Sequence, residues 1–322
     1  MKLSIIIVSW NVCHELLDCL RSMEKNKPSQ DFEVIVVDNA STDDTADAIK
    51  SDFPEVRLII NSENRGFAAA NNQGIEKAQG EYTLFLNPDT IVQPHSMDVL
   101  IKFMDDNNDV GACGPRLLNC DGTIQSSVKR FPTFRGALYR HTGFRYLNIF
   151  RDQYDKWLMK DFKYDRQLDV DQLMGSALMV RRSVVERLGG MDETFFMYYE
   201  EVDLCYRIKQ AGWRIVYVPE VEITHLGGRS AGQIPASKHI MAMTSLLRFF
   251  KKYRGKFATG TFACIFRTAL IVKSLIDIGK DIAKYILAAL TFNRKGREKS
   301  VGKIKRSIEL LSKYSRRSLL QI

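Results

Sequence analysis

The sequence has no Cys-x-x-Cys pair and no His or Cys spacing of a metal centre, and six cysteines in 322 residues are too few for a disulfide scaffold. Cys13, Cys19, Cys113, Cys120, Cys205 and Cys264 therefore read as reduced, mostly buried thiols of a cytosolic protein. No clean apolar run of ~20 residues accumulates anywhere, which excludes a bilayer-spanning helix. The apolar stretch behind Met1-Lys2 ends at Val8, ahead of Ser9-Trp10-Asn11, too soon for a signal peptide and in keeping with a buried first strand. There is no internal repeat and no low-complexity tract.

Charge is unevenly distributed. Residues 241–322 carry 19 Lys/Arg against four Asp/Glu, whereas the first 240 carry 28 against 34. A mildly acidic body with a basic tail argues against nucleic-acid binding and for a tail that meets an anionic membrane surface. The chain accordingly divides into a folded body, 1–240, and a helical tail, 241–322. Between Phe257 and Phe292 the apolar pattern is broken by Arg267, Lys273, Asp277, Lys280, Asp281 and Lys284. On a helix from Lys273, residues Lys273, Asp277, Lys280 and Lys284 share one face while Leu275, Ile278, Ile282 and Ile286 occupy the other, an interfacial amphipathic pattern. Lys299, Lys303, Lys305, Arg306, Lys313, Arg316 and Arg317 add charge for anionic lipid. The alternative is a helical pair packed on the body or on a second subunit of a homo-oligomer.

Leu3 to Val8, Glu33 to Val37, Arg57 to Ile60 and Tyr82 to Leu86 are short β-branched or aromatic runs separated by helical patterns. That alternation predicts βαβ units and a largely parallel sheet. Ser41-Thr42-Asp43-Asp44 caps a helix to about Asp52, and Asn64-Arg65-Gly66 opens another through Ala78. Ligands of such sheets bind off the carboxyl ends of the strands, where Asn11, Asp38, Asn64 and Asp89 fall. Asp38 can accept the imide N–H of uracil or thymine, or make an Asx turn; Asp89 can ligate a divalent metal on a diphosphate, or close a turn. Residues 124–172 interleave aromatics with Lys and Arg without an assignable period. They read as an amphipathic subdomain, ahead of a sugar-stacking acceptor surface or a nucleic-acid platform. Gln172 to Arg181 predicts a buried strand, Ser183 to Leu188 a short helix, and Arg214 to His225 one or two strands.

The run Phe195-Phe196-Met197-Tyr198-Tyr199-Glu200-Glu201-Val202-Asp203 sets three carboxylates directly behind large apolar groups, where an unpaired charge is expensive to bury. On a helix from Glu200 to Gly212, Asp203 and Arg207 make an i,i+4 surface pair with Glu200 on the same side. Glu201 falls instead on the stripe of Leu204, Cys205 and Ile208, facing a less polar pocket where a general base is useful. The plain alternative is a set of acids favoured by a helix N-terminus.

Taken together, Ser9-Trp10-Asn11, Asp38-Asn39-Ala40-Ser41-Thr42, Asn64-Arg65-Gly66-Phe67-Ala68, Asn87-Pro88-Asp89, the Glu200-Glu201 segment and His225-Leu226-Gly227-Gly228 resemble, in order and spacing, the motifs of glycosyltransferase family 2. Its rhamnosyltransferase-like bacterial branch is the most similar, and the resemblance covers roughly residues 1–240. It implies an α/β GT-A fold, with a Rossmann-like, mostly parallel central sheet flanked by helices, to which the chain adds the C-terminal amphipathic helical extension. It also implies a nucleotide-sugar donor, a divalent metal (Mg2+ or Mn2+) and inversion at the anomeric carbon. Residue by residue, Asp38 would hold the base, Asp89 the metal and His225 the metal or the diphosphate. Glu201 would be the general base, with Glu200 and Asp203 open as alternatives. Ser9, Asn11, Asn39, Asn64, Arg65, Gly66, Asn87 and Arg229 would line the donor site, and Gly175-Ser176-Ala177 resembles the stretch that lets the sugar approach the backbone.

Two positions depart from the family pattern: Asn87 stands where an aspartate is frequent, and Glu201 where aspartate is common. The Q-x-x-R-W sequence of processive synthases is absent, so one sugar is expected per transfer. The expected reaction moves a sugar from dTDP-L-rhamnose or a UDP-hexose to a glycan or lipid-linked glycan in bacterial surface polysaccharide synthesis. The expected location is the cytoplasm, peripheral on the inner face of the cell membrane. A nucleotidyltransferase would open with a glycine-rich loop where Ser9-Trp10-Asn11-Val12 stands. A non-catalytic sugar- or lipid-binding module would not need Asp89 and Glu201 together.

Overall fold

The computed structural model describes residues 1–227 and 235–315. The chain forms two compact units, one of Met1–Phe131 with Leu158–Gln233, the other of Pro132–Trp157 with Ile234–Ile322.

The first unit is built on a nine-stranded sheet. Every residue of its first strand, Leu3–Ser9, is buried, because it runs parallel between Phe32–Asp38 and Tyr82–Leu86, with Arg57–Ile60 outside Phe32–Asp38. A strand covered on both faces needs apolar groups in succession, and Ile5-Ile6-Ile7-Val8 provides them. Ile5 and Ile7 join Leu16, Val36 and Leu84 on one face, while Ile6 joins Ala68, Phe85 and Leu178 on the other. The helices Thr45–Asp52 and Phe67–Lys77 lie between these strands in the chain as expected, but neither N-cap residue, Asp44 or Gly66, makes a side-chain capping bond.

Beyond Tyr82–Leu86 the sheet is mixed. Ala177–Arg181 runs antiparallel between Tyr82–Leu86 and Val110–Leu118. Arg214–His225 pairs parallel with Val110–Leu118 and antiparallel with Thr90–Val92 and Leu168–Asp169. The strand expected over Gln172 to Arg181 is split, since Gln172–Leu173 pairs with Val128–Lys129 while Ala177–Arg181 enters the main sheet. The split sets Gly175-Ser176 at the carboxyl end of Tyr82–Leu86: Ala177 is the register partner of Leu86, and the Asn87 N–H donates to Ser176 O at 2.9 Å.

The second unit is helical: Phe134–His141, Arg151–Trp157, Pro235–Arg254, Lys256–Leu290 and Arg294–Ser315. Phe134 stacks on Phe262 with ring centroids 4.6 Å apart and meets Phe250 edge-on at 4.5 Å. This half-buried aromatic from the stretch without period is thus engaged by other aromatic rings of its own unit. Along Lys256–Leu290 the buried stripe is Thr259, Phe262, Ala263, Phe266, Leu270, Ser274, Asp281 and Ala288. Leu275, Ile276, Ile282, Ile286 and Leu290 are exposed. Among the described residues no helix is long and apolar enough to cross a membrane. Arg316 and Arg317 lie outside the described residues. All six cysteines are free, but Cys120 and Cys264 are exposed and Cys13 half-buried, so only half of them are core groups.

One glycine fixes the approach of two loops. Gly66 has φ +86°, and a Cβ there would lie 2.5 Å from Phe196 O, whose carbonyl already accepts the Phe67 N–H at 2.7 Å. Gly66→Ala is expected to lower the unfolding free energy by about 2 kcal/mol, through strain and displacement of the Phe195-Phe196 segment. Urea unfolding tests this; an unchanged midpoint would show that the loops are not locked together.

Candidate active site

At the carboxyl ends of the first two strands Ser9 and Asp38 are register partners. Ser9 Oγ is buried and has no hydrogen-bond partner among the described residues, while buried Asp38 accepts the Ser41 N–H at 3.1 Å. Asn11 adopts φ 52°, accepts the Thr42 N–H at 2.7 Å, and donates its own N–H to Ser41 Oγ at 3.0 Å. The two strand-end loops are thus tied together around Asp38. Asn39 uses its whole amide: Nδ2 donates to Asn64 Oδ1 (3.0 Å) and Gly66 O (3.1 Å), and Oδ1 accepts from Asn61 Nδ2 and the Arg65 N–H, both at 3.0 Å. With every donor and acceptor engaged, it shapes the Asn64-Arg65-Gly66 loop. The Arg65 side chain is exposed.

At the next strand end Asp89 and His225, both buried, approach with Oδ1 and Nε2 3.4 Å apart. Gln125 decides what this contact is. Its Nε2 donates to Asn119 Oδ1 at 3.0 Å and to His225 O at 3.3 Å, which turns Oε1 toward the imidazole, 2.7 Å from Nδ1. Nδ1 must then carry the proton, and the Nε2 lone pair faces both the Asn87 amide, at 3.3 Å, and the Asp89 carboxylate. A lone pair and a carboxylate oxygen this close repel unless a proton or a cation lies between them. A fixed tautomer with its outer nitrogen hydrogen-bonded is the arrangement of a metal-ligating histidine. Among the described residues no third His, Cys, Asp or Glu joins the pair. The donor set suits a hard cation that keeps waters and phosphate oxygens in its shell, with Asp89 and His225 as protein ligands.

Glu200 and Glu201 open the helix Glu200–Gln210 behind two tyrosines in left-handed conformation, Tyr198 (φ 67°) and Tyr199 (φ 71°). One oxygen of each glutamate, Oε2, is buried with no hydrogen-bond partner among the described residues. Burial pushes the Glu200 carboxyl well above the usual range, and the neighbouring Glu201 charge adds to the rise. Glu201 is also raised by burial, but the Lys129 ammonium opposes the shift. Both carboxyls are thus raised by burial, Glu200 the more strongly, and Lys129 favours the charged form of Glu201. The stem of Glu201 lies against Gly175, where an added methyl would meet its Cβ at 3.2 Å.

Asp203 and Arg207 do pair, at 2.7 Å, but not on the surface: Asp203 is wholly buried, and Arg207 also donates to Leu188 O at 2.9 Å. The helix face that carries them is packed, and the Asp203 carboxylate is neutralised there. Ser176 Oγ is buried with no hydrogen-bond partner among the described residues, and Ala177 is strand core. Arg229 and Gly228 lie outside the described residues.

A sheet with strand-end carboxylates, a cation-suited pair and a separate glutamate pair fits group transfer from a nucleotide. The family model for glycosyl transferase family 2 matches residues 4–189. The chain belongs to glycosyltransferase family 2. Among curated proteins this glycosyltransferase is 34% identical to an N-acetylglucosaminyl-diphospho-decaprenol L-rhamnosyltransferase of Mycobacterium tuberculosis, over 65% of this chain and 71% of that protein. It is 29% identical to a low-salt glycan biosynthesis hexosyltransferase of Haloferax volcanii, over 69% of this chain and 66% of that protein. Two solved structures share the GT-A fold. A mannosyltransferase from Pyrobaculum calidifontis, in complex with GDP-Man and Mn2+, has a TM-score of 0.57 at 18% identity, covering 98% of this chain and 88% of that one. TarS of S. aureus has a TM-score of 0.51 at 15% identity, over 83% of this chain and 43% of that one.

Three residues that the sequence did not single out as site residues adjoin these candidate groups. Gln125 fixes the His225 tautomer and Lys129 supports the Glu201 charge. Tyr198, whose buried hydroxyl is pushed up to about 12 by burial and the two glutamates, faces the carboxylate pair. Only the aromatic run before Glu200 carried a signal for any of them.

Glu200→Gln should stabilise the fold at neutral pH. A carboxyl raised in the folded state binds more protons folded than unfolded, so its contribution is fully present below the unfolded value of about 4.3 and is lost as pH rises through the folded value. Urea unfolding of wild type and variant across this range should converge in acid and diverge toward neutrality. Parallel curves would show that Glu200 is not raised.

Proposed function

We propose that the enzyme transfers one sugar, with inversion, from a nucleoside-diphosphate sugar to a lipid-linked glycan acceptor during cell-surface polysaccharide synthesis. dTDP-L-rhamnose is the favoured donor, ahead of UDP-hexoses. The observation that carries the reading is that one turn, Gly175-Ser176, touches both halves of the site. It accepts the Asn87 N–H next to Asp89 and packs against Glu201. Support for rhamnose and a diphospho-lipid acceptor comes from the mycobacterial relative, whose name carries both.

In this mechanism Asp38 accepts the imide N–H of the base, and the buried hydroxyl of Ser9 lies beside it at the strand end. The acceptor hydroxyl attacks the anomeric carbon, its proton passes to Glu201, and the bond to the diphosphate oxygen breaks with its electron pair. Glu200, raised the more strongly of the pair, is the less suited to accept that proton as an ionised base, and Asp203 is committed to Arg207. A divalent ion held by Asp89 and His225, Mg2+ or Mn2+, would supply positive charge to the leaving diphosphate. The exposed apolar residues of Lys256–Leu290 and the basic residues that follow support peripheral attachment to the inner face of an anionic membrane.

Glu201→Gln is expected to lower transfer by ~10²-fold or more while donor affinity stays within a few fold, since the amide keeps the shape but accepts no proton. The assay is nucleoside-diphosphate release from dTDP-L-rhamnose and UDP-hexoses with a lipid-linked acceptor. Loss in Asp203→Asn with normal turnover in Glu201→Gln would move the role. For the cation pair, Asp89→Ala and His225→Ala should abolish Mn2+ binding followed by paramagnetic resonance, and Gln125→Leu should weaken it by about 10- to 100-fold. Unchanged Mn2+ binding in all three would remove the ion from this site.

A further inference from the structure

The helical unit contains a cavity of about 340 Å³ whose cationic wall is Arg140, Arg145, Lys273, Lys303 and Arg306. They come from three separate stretches of chain, so no single helix face explains their convergence. Asp277 and Asp281 also line the wall, and lysines of their own helix already engage them: Lys273 donates to Asp277 at 2.6 Å, and Lys284 lies 3.7 Å from Asp281. Five cations against two carboxylates leave an excess of about three positive charges to be matched.

Two histidines report the same field. His141 Nε2 is buried on this wall with no hydrogen-bond partner among the described residues, and its ring centroid lies 6.1 Å from that of His239, another lining residue. Burial and the charges of Arg140 and Lys273 hold both imidazoles below the ordinary histidine range, so neither adds charge of its own. The cavity thus offers guanidinium and ammonium donors and a buried imidazole nitrogen, a set that suits phosphate oxygens. The same helix that supplies Lys273 exposes Leu275, Ile276, Ile286 and Leu287 to the outside.

We infer that this cavity is a headgroup site for the diphosphate of a lipid-linked acceptor, with the acyl or prenyl chain meeting the exposed apolar face of Lys256–Leu290. The inference rests on the lipid-linked acceptor of the proposed function. A diphosphate matches the excess of charge better than the single charge of a phosphodiester, which sets the prenyl diphosphate ahead of an ordinary anionic phospholipid.

The test uses the full chain at about 0.15 M salt, where diffuse attraction is screened beyond ~8 Å. Binding is measured to phosphatidylcholine vesicles carrying a polyprenyl diphosphate, to vesicles carrying phosphatidylglycerol at equal surface charge, and to inorganic diphosphate. Wild type should bind the polyprenyl diphosphate vesicles roughly tenfold or more tighter than the phosphatidylglycerol vesicles. Lys303→Ala with Arg306→Ala should abolish that preference and weaken inorganic diphosphate by a similar factor. Lys295→Ala with Lys299→Ala removes the same charge from the same helix away from the cavity, and should change either by no more than about twofold. Equal losses in the two double variants would reduce the cavity to surface charge, and equal binding of the two anionic vesicles would exclude the diphosphate; either result overturns the inference. Nucleoside-diphosphate release without acceptor separates this site from the catalytic assignment. It should be unchanged in Lys303→Ala with Arg306→Ala, whereas normal transfer by Glu201→Gln would sink the catalytic reading and leave the cavity standing.

Discussion

Two adjacent carboxylates at the start of one helix, Glu200 buried and Glu201 half-buried, are the constraint on which the rest of the site depends. Glu200 and Glu201 cannot both ionise without like-charge repulsion added to desolvation, and each by itself would be costly to bury. What makes the arrangement tolerable is local. The first turn of Glu200–Gln210 presents the positive end of the helix dipole, and Lys129 arrives from the two-stranded ladder Val128–Lys129 with Gln172–Leu173. Tyr198 and Tyr199 stay left-handed at roughly 1–2 kcal/mol each, a strain that only a well-anchored segment sustains. Anchors lie on both sides: Phe196 O holds the Phe67 N–H, and Arg207 joins Asp203 to Leu188 O.

The same constraint explains why a mixed sheet serves here where a wholly parallel one would not. In a parallel sheet each strand reaches the next through a crossover, and the chain after Tyr82–Leu86 would leave the site. Inserting Ala177–Arg181 antiparallel returns Gly175-Ser176 to the Asn87 end, so the glutamate pair and the Asp89–His225 pair share one piece of backbone. Gly175 matters through its size, since a methyl at that point would press on the stem of Glu201.

What could be read from the sequence follows from which signals are local. The four opening strands were legible to within a residue because Ile5-Ile6-Ile7 and Val34-Ile35-Val36-Val37 announce burial on both faces by composition alone. Glu201 could be separated from Asp203 by helical period, and Arg207 found as the partner of Asp203. Their burial could not be foreseen, because it depends on Leu188 and on what packs over the helix. The direction of Ala177–Arg181, the split at Met174 and the roles of Gln125 and Lys129 were not legible, since each is decided by a non-local pairing. Asn39 looked like a donor contact for a related reason: a motif position does not reveal that Asn61, Asn64, Arg65 and Gly66 will consume its amide.

The helix Lys256–Leu290 carries this lesson furthest. Its amphipathic period was plain, but period alone does not say which face turns inward. In an ordinary helix packed on a protein body the apolar stripe is covered and the charges meet water. Here both faces are mixed: beyond Leu270, Ser274, Asp281 and Ala288 turn inward, with Lys273 and Asp277 half-buried, while Leu275, Ile282, Ile286 and Leu290 face out together with Lys280 and Lys284. Such mixing leaves apolar area wet and charge enclosed, and both are unfavourable in water. It becomes favourable when the outer medium is itself apolar and the enclosed cations have an anion to hold. The acceptor inferred above, part hydrocarbon chain and part diphosphate, would supply both conditions at once.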